Sequence, residues 1–194
     1  MGIFDRMKEQ EPAPEDLPAP AAERKPFGPG AVEIAKLISS GDEVVMADIT
    51  ACTGDPAAWF QTHEDRYMER GVTSADDLEL VQWLGLVDIL EEHGWVCERD
   101  WKDELEDFSY FVQNLHGFQK LGLELDPDWL DEDGDISEWC GVLAEQWSAQ
   151  GVRMAAIDID SDSYVLFPAS AGQLAALQTL AEEIGQDIQD VTEE

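Results

Sequence analysis

Hydrophobic patterning is clearest over residues 152–168, VRMAAIDIDSDSYVLFP. Met154, Ala155, Ala156, Ile157 and Ile159 form one apolar arm, and Tyr164, Val165, Leu166 and Phe167 form another. Between them, Asp160, Ser161, Asp162 and Ser163 are turn formers, so the stretch predicts a β-hairpin with an acidic tip. Nearly continuous apolar arms predict strands covered on at least one face. The other strong pattern runs over residues 74–93. There Leu78, Leu80, Val81, Trp83, Leu84, Leu86, Val87, Ile89 and Leu90 surround almost the whole cylinder, with Glu79, Gln82 and Asp88 as the polar breaks. A helix apolar nearly all round is buried, which makes this the predicted central helix. Ser74 with Asp77 is a capping-box start, and Gly94 a stop. Gly85 in its middle costs about 1 kcal/mol against Ala, so it marks close packing against a neighbour.

The remaining elements follow in order. Residues 31–39 predict a short helix ended by Gly41, and residues 43–50 fit either a strand or a helix. Residues 57–70 are helical by period, with Trp59, Phe60, His63 and Tyr67 on one side. Residues 95–101 alternate as a strand, with Trp95, Cys97 and Arg99 pointing one way. Asp100 is placed to cap a helix over 103–116, whose stripe is Leu105, Phe108, Phe111, Val112 and Leu115. In that reading the acidic cluster from Asp103 to Asp107 suits the positive end of the helix. Residues 121–134 are irregular and acidic. Asp135 and Glu138 open a helix to about Ala149, with Ile136, Trp139, Cys140, Leu143 and Trp147 inward. Ser170 and Gln173 cap a last helix in which Leu174, Leu177, Leu180, Ala181, Ile184 and Ile188 face the core, before a frayed acidic end. Helices around a few strands, without alternating βαβα, define an α+β fold with a small, mainly antiparallel sheet. Residues 1–30 carry Pro12, Pro14, Pro18, Pro20, Pro26 and Pro29 and predict a disordered Pro/Ala-rich tail. Its first eight residues, MGIFDRMK, are a short amphipathic stretch and a weak candidate for tethering. Residues 31–194 then make one acidic domain.

Charge changes the functional picture more than composition does. The chain has 44 acidic and 11 basic residues, a net charge of −33. Such a surface repels nucleic acid, whose recognition rests on Lys and Arg at phosphates. It also repels anionic membranes, while it attracts a basic protein partner and speeds the encounter. Solubility or salt adaptation is the plainer account of the same charge. Cys52, Cys97 and Cys140 are far apart and form no CxxC pair, so they read as buried thiols in a reducing, cytoplasmic compartment. No apolar run is long enough to span a membrane.

Candidate chemistry is sparse. Asp158, Asp160 and Asp162 have the look of a calcium ligand run, but an EF-hand starting at Asp158 needs Gly sixth and Glu twelfth, where this chain has Ser163 and Ala169. On an extended strand Asp158 and Asp160 share a side, so these acids, with the acidic residues between 126 and 135, are the alternative reading: a divalent-metal-binding or metal-dependent hydrolase domain. A solvated turn explains the same residues. His93 and His116 each precede a glycine read as ending a helix, where an imidazole interacts favourably with the helix C-terminus. No nucleophile elbow, P-loop or dinucleotide fingerprint is present. No cofactor is expected and no catalytic residue is assigned.

GWVCERDWKDELEDF (residues 94–108) and AIDIDSDSYVLFP (residues 156–168) together resemble a bacterial family of uncharacterised proteins, domain-of-unknown-function family 6630, over roughly residues 75–188. The resemblance implies a shared fold and makes Asp100, Trp101, Lys102, Asp162 and Tyr164 signature positions. A fainter similarity of style links the chain to small acidic immunity proteins of bacterial toxin systems. The expected function is therefore a non-enzymatic acidic interaction protein, immunity- or regulator-like, that engages a basic partner through acids beside aromatics.

Overall fold

Ten consecutive residues, from Val81 to Leu90, are buried in one helix. That helix, α5 (Leu78–Glu92), is central because two separate apolar clusters meet on it. Trp83, Leu86, Val87, Ile89 and Leu90 join the main core, whereas Val81 and Leu84 pack with Phe60 and Tyr67 in a satellite cluster. Asp77, rather than Ser74, caps it, its carboxylate accepting from the Glu79 and Leu80 amides, while Ser74 turns to Asp76. Leu78 and Leu80, in the first turn, are exposed.

The computed structural model describes residues 24–192. Four helices precede α5: α1 (Phe27–Ser39), α2 (Glu43–Gly54), α3 (Pro56–Thr62) and α4 (Glu64–Glu69). The first begins at Phe27, inside the stretch assigned to the tail; the MGIFDRMK segment lies outside the described residues. Residues 43–50 are helical, with Asp42 as the cap. The 57–70 helix divides at His63 into α3 and α4.

Strand β1 (Cys97–Asp100) follows α5 directly, then α6 (Leu105–Asn114), α7 (His116–Leu121) and α8 (Ile136–Gln146). The 103–116 helix is shorter than its pattern suggested, and Glu104, without a side-chain cap, sits at its start. Phe111, placed on the inward stripe by its spacing, is exposed instead, and the Arg99 guanidinium lies over its ring at 3.9 Å. Gly117 lies inside α7 and does not end α6, so His116 opens a helix rather than closing one. Asp135 caps α8 as expected, through the Glu138 amide at 2.9 Å.

The hairpin is β2 (Val152–Ile157) and β3 (Ser163–Ser170), paired from Val152↔Ser170 to Ile157↔Val165. Ser170 caps α9 (Ala171–Ile184) by accepting from the Gln173 amide. After it, β4 (Ile188–Asp190) pairs antiparallel with β2, which places Ile188 in a strand and not on the helix. The sheet is antiparallel in the order β1-β3-β2-β4, and the fold is α+β.

Both faces of the sheet are covered, which explains the uninterrupted apolar arms. Ala155, Ile157, Val165, Phe167 and Ala169 meet the core built by α1, α2, α5 and α9. Met154, Ala156 and Leu166 meet a second core with Phe108, Val112, Trp139, Leu143 and Trp147 from α6, α8 and the residue after it. Strand side chains alternate between faces, so each arm needs an apolar residue at every position to fill both cores. No helix among the described residues is long and apolar enough to cross a membrane.

Candidate functional site

The hairpin tip is anchored before it bends. Trp83 of α5 donates its indole N–H to the Asp158 carbonyl at 2.7 Å, and the Asp158 amide donates to the Asp187 carbonyl at 3.1 Å, just ahead of β4. The turn then forms locally. The Asp158 carboxylate accepts from the Asp160 amide at 2.8 Å, Asp160 takes a left-handed φ of 55°, and Ser161 Oγ accepts from the Ser163 amide. Asp tolerates that backbone region better than most residues.

A cleft of about 400 Å³ opens beside this tip. Trp101, Asp158, Asp162 and Tyr164 line it, with Gln189 and Val191 from the β4 end. Four positions spread over more than sixty residues thus face one space. The strand register brings them there. Asp100 pairs with Ser163 and Arg99 with Tyr164 across β1 and β3, so Trp101, the next residue after β1, arrives at the turn. Trp101 is 47% exposed.

Three of the five signature residues, Trp101, Asp162 and Tyr164, line the cleft; Asp100 and Lys102 do not. The Asp100 carboxylate accepts from the Lys102 amide at 2.9 Å and its carbonyl accepts from the Asp103 amide, which sets the turn that presents Trp101. It forms this turn instead of capping α6. The Lys102 ammonium lies 4.3 Å from the centre of the Trp101 ring, a cation–π contact.

The alternation that placed Asp158 with Asp160 does not hold, because β2 ends at Ile157 and the chain reverses hand at Asp160. Asp158 and Asp162 share the cleft; Asp160 does not line it. Among the described residues, no group of three or more His, Cys, Asp or Glu side chains is disposed to hold a metal ion. The acidic loop from 126 to 132 borders a different groove, with α6.

A second polar feature was not readable from the pattern. Arg70, after α4, donates to Asp88 of α5 from Nε at 3.1 Å and Nη2 at 2.8 Å, and its Nη2 also lies 2.7 Å from Glu98 of β1. Glu91 accepts from the Glu98 amide at 3.0 Å, which blocks the exposed edge of β1. Burial pushes the Asp88 carboxyl above the usual carboxylate range, with the Arg70 charge opposing it; burial raises Glu91 in the same way, against its bond from the Glu98 amide. Every partner in this network is engaged, so it ties α4, α5 and β1 together. His93, at the end of α5, lies 3.0 Å from Asp48 of α2, and His116 packs its ring on Trp95 at 5.2 Å.

The thiols are inert by burial, which lifts Cys52 and Cys97 to about 12, with Asp88 adding to the effect at Cys52, and lifts Cys140 well above its ordinary value.

An α+β domain with an acidic, aromatic-edged cleft at a hairpin tip is the class that these features define. The family model described as Domain of unknown function (DUF6630) matches residues 31–191, so the chain belongs to this uncharacterised domain family. The match reaches past the motif-bearing region to include α1 through α4, most of α1 among them. No curated protein and no solved structure matches the chain.

Proposed function

We propose that the protein is a non-enzymatic interaction protein that engages a basic protein partner, immunity- or regulator-like in character, and that the hairpin-tip cleft is where it does so. The observation that carries this reading is the composition of the cleft. Asp158 and Asp162 supply negative charge, Tyr164 and the face of Trp101 away from the Lys102 ammonium supply ring surface, and no Lys, Arg or His among the described residues lines it. An Arg guanidinium suits that combination, since it hydrogen-bonds carboxylates in a planar fork and stacks on aromatic rings. Aromatic anchors beside charge are the common make-up of a binding hot spot. The net charge of −33 steers such a partner toward the surface and keeps nucleic acid away. Three free, buried cysteines suit a reducing compartment, and the cytoplasm is the location that goes with this reading.

Capture from extract of the native cell tests it, with washes at low and at moderate salt and the double variant Asp158→Asn/Asp162→Asn alongside. The expected result is a stoichiometric basic protein that leaves as salt rises and does not stay on the variant. A partner whose retention ignores both salt and the two substitutions sinks the reading, as does an empty wild-type capture at both salts.

A further inference from the structure

Six basic side chains are tied to carboxylates: Lys25, Lys36, Arg66, Arg70, Arg99 and Arg153 each form an ion pair. Lys102 is not one of them. The chain holds 44 acidic residues, yet among the described residues the Lys102 ammonium pairs with no carboxylate. Its contact is the Trp101 ring, at 4.3 Å from the centre. The turn set by Asp100 puts the two side by side, its carboxylate accepting from the Lys102 amide at 2.9 Å. Lys120 makes a looser contact of 5.2 Å to the Trp95 ring, but Trp95 is buried. Trp101 is exposed and lines the hairpin-tip cleft, whereas Lys102 does not. One ring therefore carries a cation of the chain itself and still presents surface to the cleft.

We infer that Lys102 is a specificity-determining residue of the cleft, and that it selects an arginine over a lysine in the partner. The inference rests on the reading of the cleft given above. An aromatic ring attracts a cation through the negative face of its π system. An ammonium already seated on Trp101 opposes a second positive charge brought to the same ring. A lysine of the partner gains little else there, because its ammonium is a compact, strongly hydrated point charge. An arginine keeps two contributions that Lys102 does not remove. Its planar guanidinium stacks on the ring, and its fork of N–H donors meets carboxylate oxygens two at a time. The carboxylates are open to that fork. Among the described residues nothing donates to the Asp162 carboxylate, and the Asp158 carboxylate accepts from the Asp160 amide alone. Lys102 thus penalises the wrong cation more than the right one, which is discrimination by repulsion.

The test titrates the full chain with acetyl-Gly-Arg-Gly-amide and with its lysine counterpart, and reads both Kd values from the Trp101 indole resonance. The wild type should prefer the arginine peptide. Lys102→Met keeps the stem and removes the charge. It should shrink that preference by about two- to fivefold, the size of one exposed cation–π contact, by strengthening the lysine peptide more than the arginine one. Lys102→Arg keeps a cation on the ring and should retain the wild-type preference. Lys36→Met, a neutralised lysine on α1, controls for net charge and should leave the ratio as it is. Lys102 and Lys36 have exposed side chains, so none of these variants disturbs the core. A ratio unchanged by Lys102→Met overturns the inference and leaves the cleft standing. Equal strengthening of both peptides does the same, since it reduces Lys102 to a general repulsion without selectivity. A wild type that prefers the lysine peptide also overturns it. An indole resonance that moves with neither peptide overturns the cleft reading together with the inference.

Discussion

Replacing Gly85 by Ala adds one methyl group at the most crowded point of α5. In an open helix the change stabilises by about 1 kcal/mol. Here a Cβ lies 2.7 Å from Cys52 Sγ, 2.8 Å from the Tyr67 hydroxyl and 3.3 Å from the Trp59 indole nitrogen. Neither of the two nearest groups yields easily. Cys52 and Tyr67 are both fully buried, and the Tyr67 hydroxyl donates to the Val81 carbonyl at 2.8 Å. Overpacking of this kind costs about 1–3 kcal/mol, and a disturbed buried hydrogen bond about 1 kcal/mol more. Set against the helix gain, the net is a loss of about 1–3 kcal/mol, or roughly 3–10 °C in Tm for a domain of this size. Calorimetry and a urea melt on Gly85→Ala measure it. The double variant Gly85→Ala/Tyr67→Phe, which removes the crowded oxygen, should recover part of the loss, with a coupling of at least about 0.5 kcal/mol. A Tm equal to or above that of the wild type refutes the close-packing argument.

Three further outcomes follow from the polar network and the thiols. Arg70→Ala leaves Asp88 and Glu98 without their shared cation, and a urea melt should show a loss of about 2–4 kcal/mol, most of it from the stranded, largely buried Asp88. The raised Asp88 and Glu91 carboxyls make the folded state hold protons more tightly than the unfolded chain, so between the ordinary carboxylate range and their raised values stability falls as pH rises. Tm should therefore climb as pH is lowered from neutral toward that range, and Asp88→Asn should flatten the climb; a Tm that falls steadily over the same interval contradicts the assignment. The three buried thiols should resist a thiol-reactive disulfide at neutral pH until denaturant is added, and prompt labelling of even one thiol in the native protein argues against their burial.

Local signals carried much of the architecture. The hairpin was legible because turn formers separate two apolar arms, and α5 because its apolar residues leave no polar face. Gly85 was legible because a glycine inside a good helix needs a reason, and Cys52 and Tyr67 supply it. Ile188 misled because a period of 3.6 continues smoothly past Ile184, while only pairing with β2 makes it a strand residue. His116 misled because a glycine follows it, although the backbone restarts a helix there. The site was half visible. Trp101, Asp162 and Tyr164 were singled out by motif, but their common cleft depends on the Asp100↔Ser163 register, which no local pattern encodes. Asp160 was grouped with Asp158 by a strand alternation that ends three residues too early. Arg70 and Asp88 lie 18 residues apart with no periodic relation, so their pairing appears only once α4 folds back on α5.

Chemical-shift mapping of the full chain with an Arg-rich tripeptide amide tests the central claim most directly. The account predicts that, at low salt, shifts concentrate on the Trp101 indole and the backbone of Asp158, Asp162 and Tyr164, and that Asp158→Asn/Asp162→Asn removes them. Shifts scattered evenly over the acidic surface, unchanged in that variant, contradict it and reduce the charge of −33 to a matter of solubility.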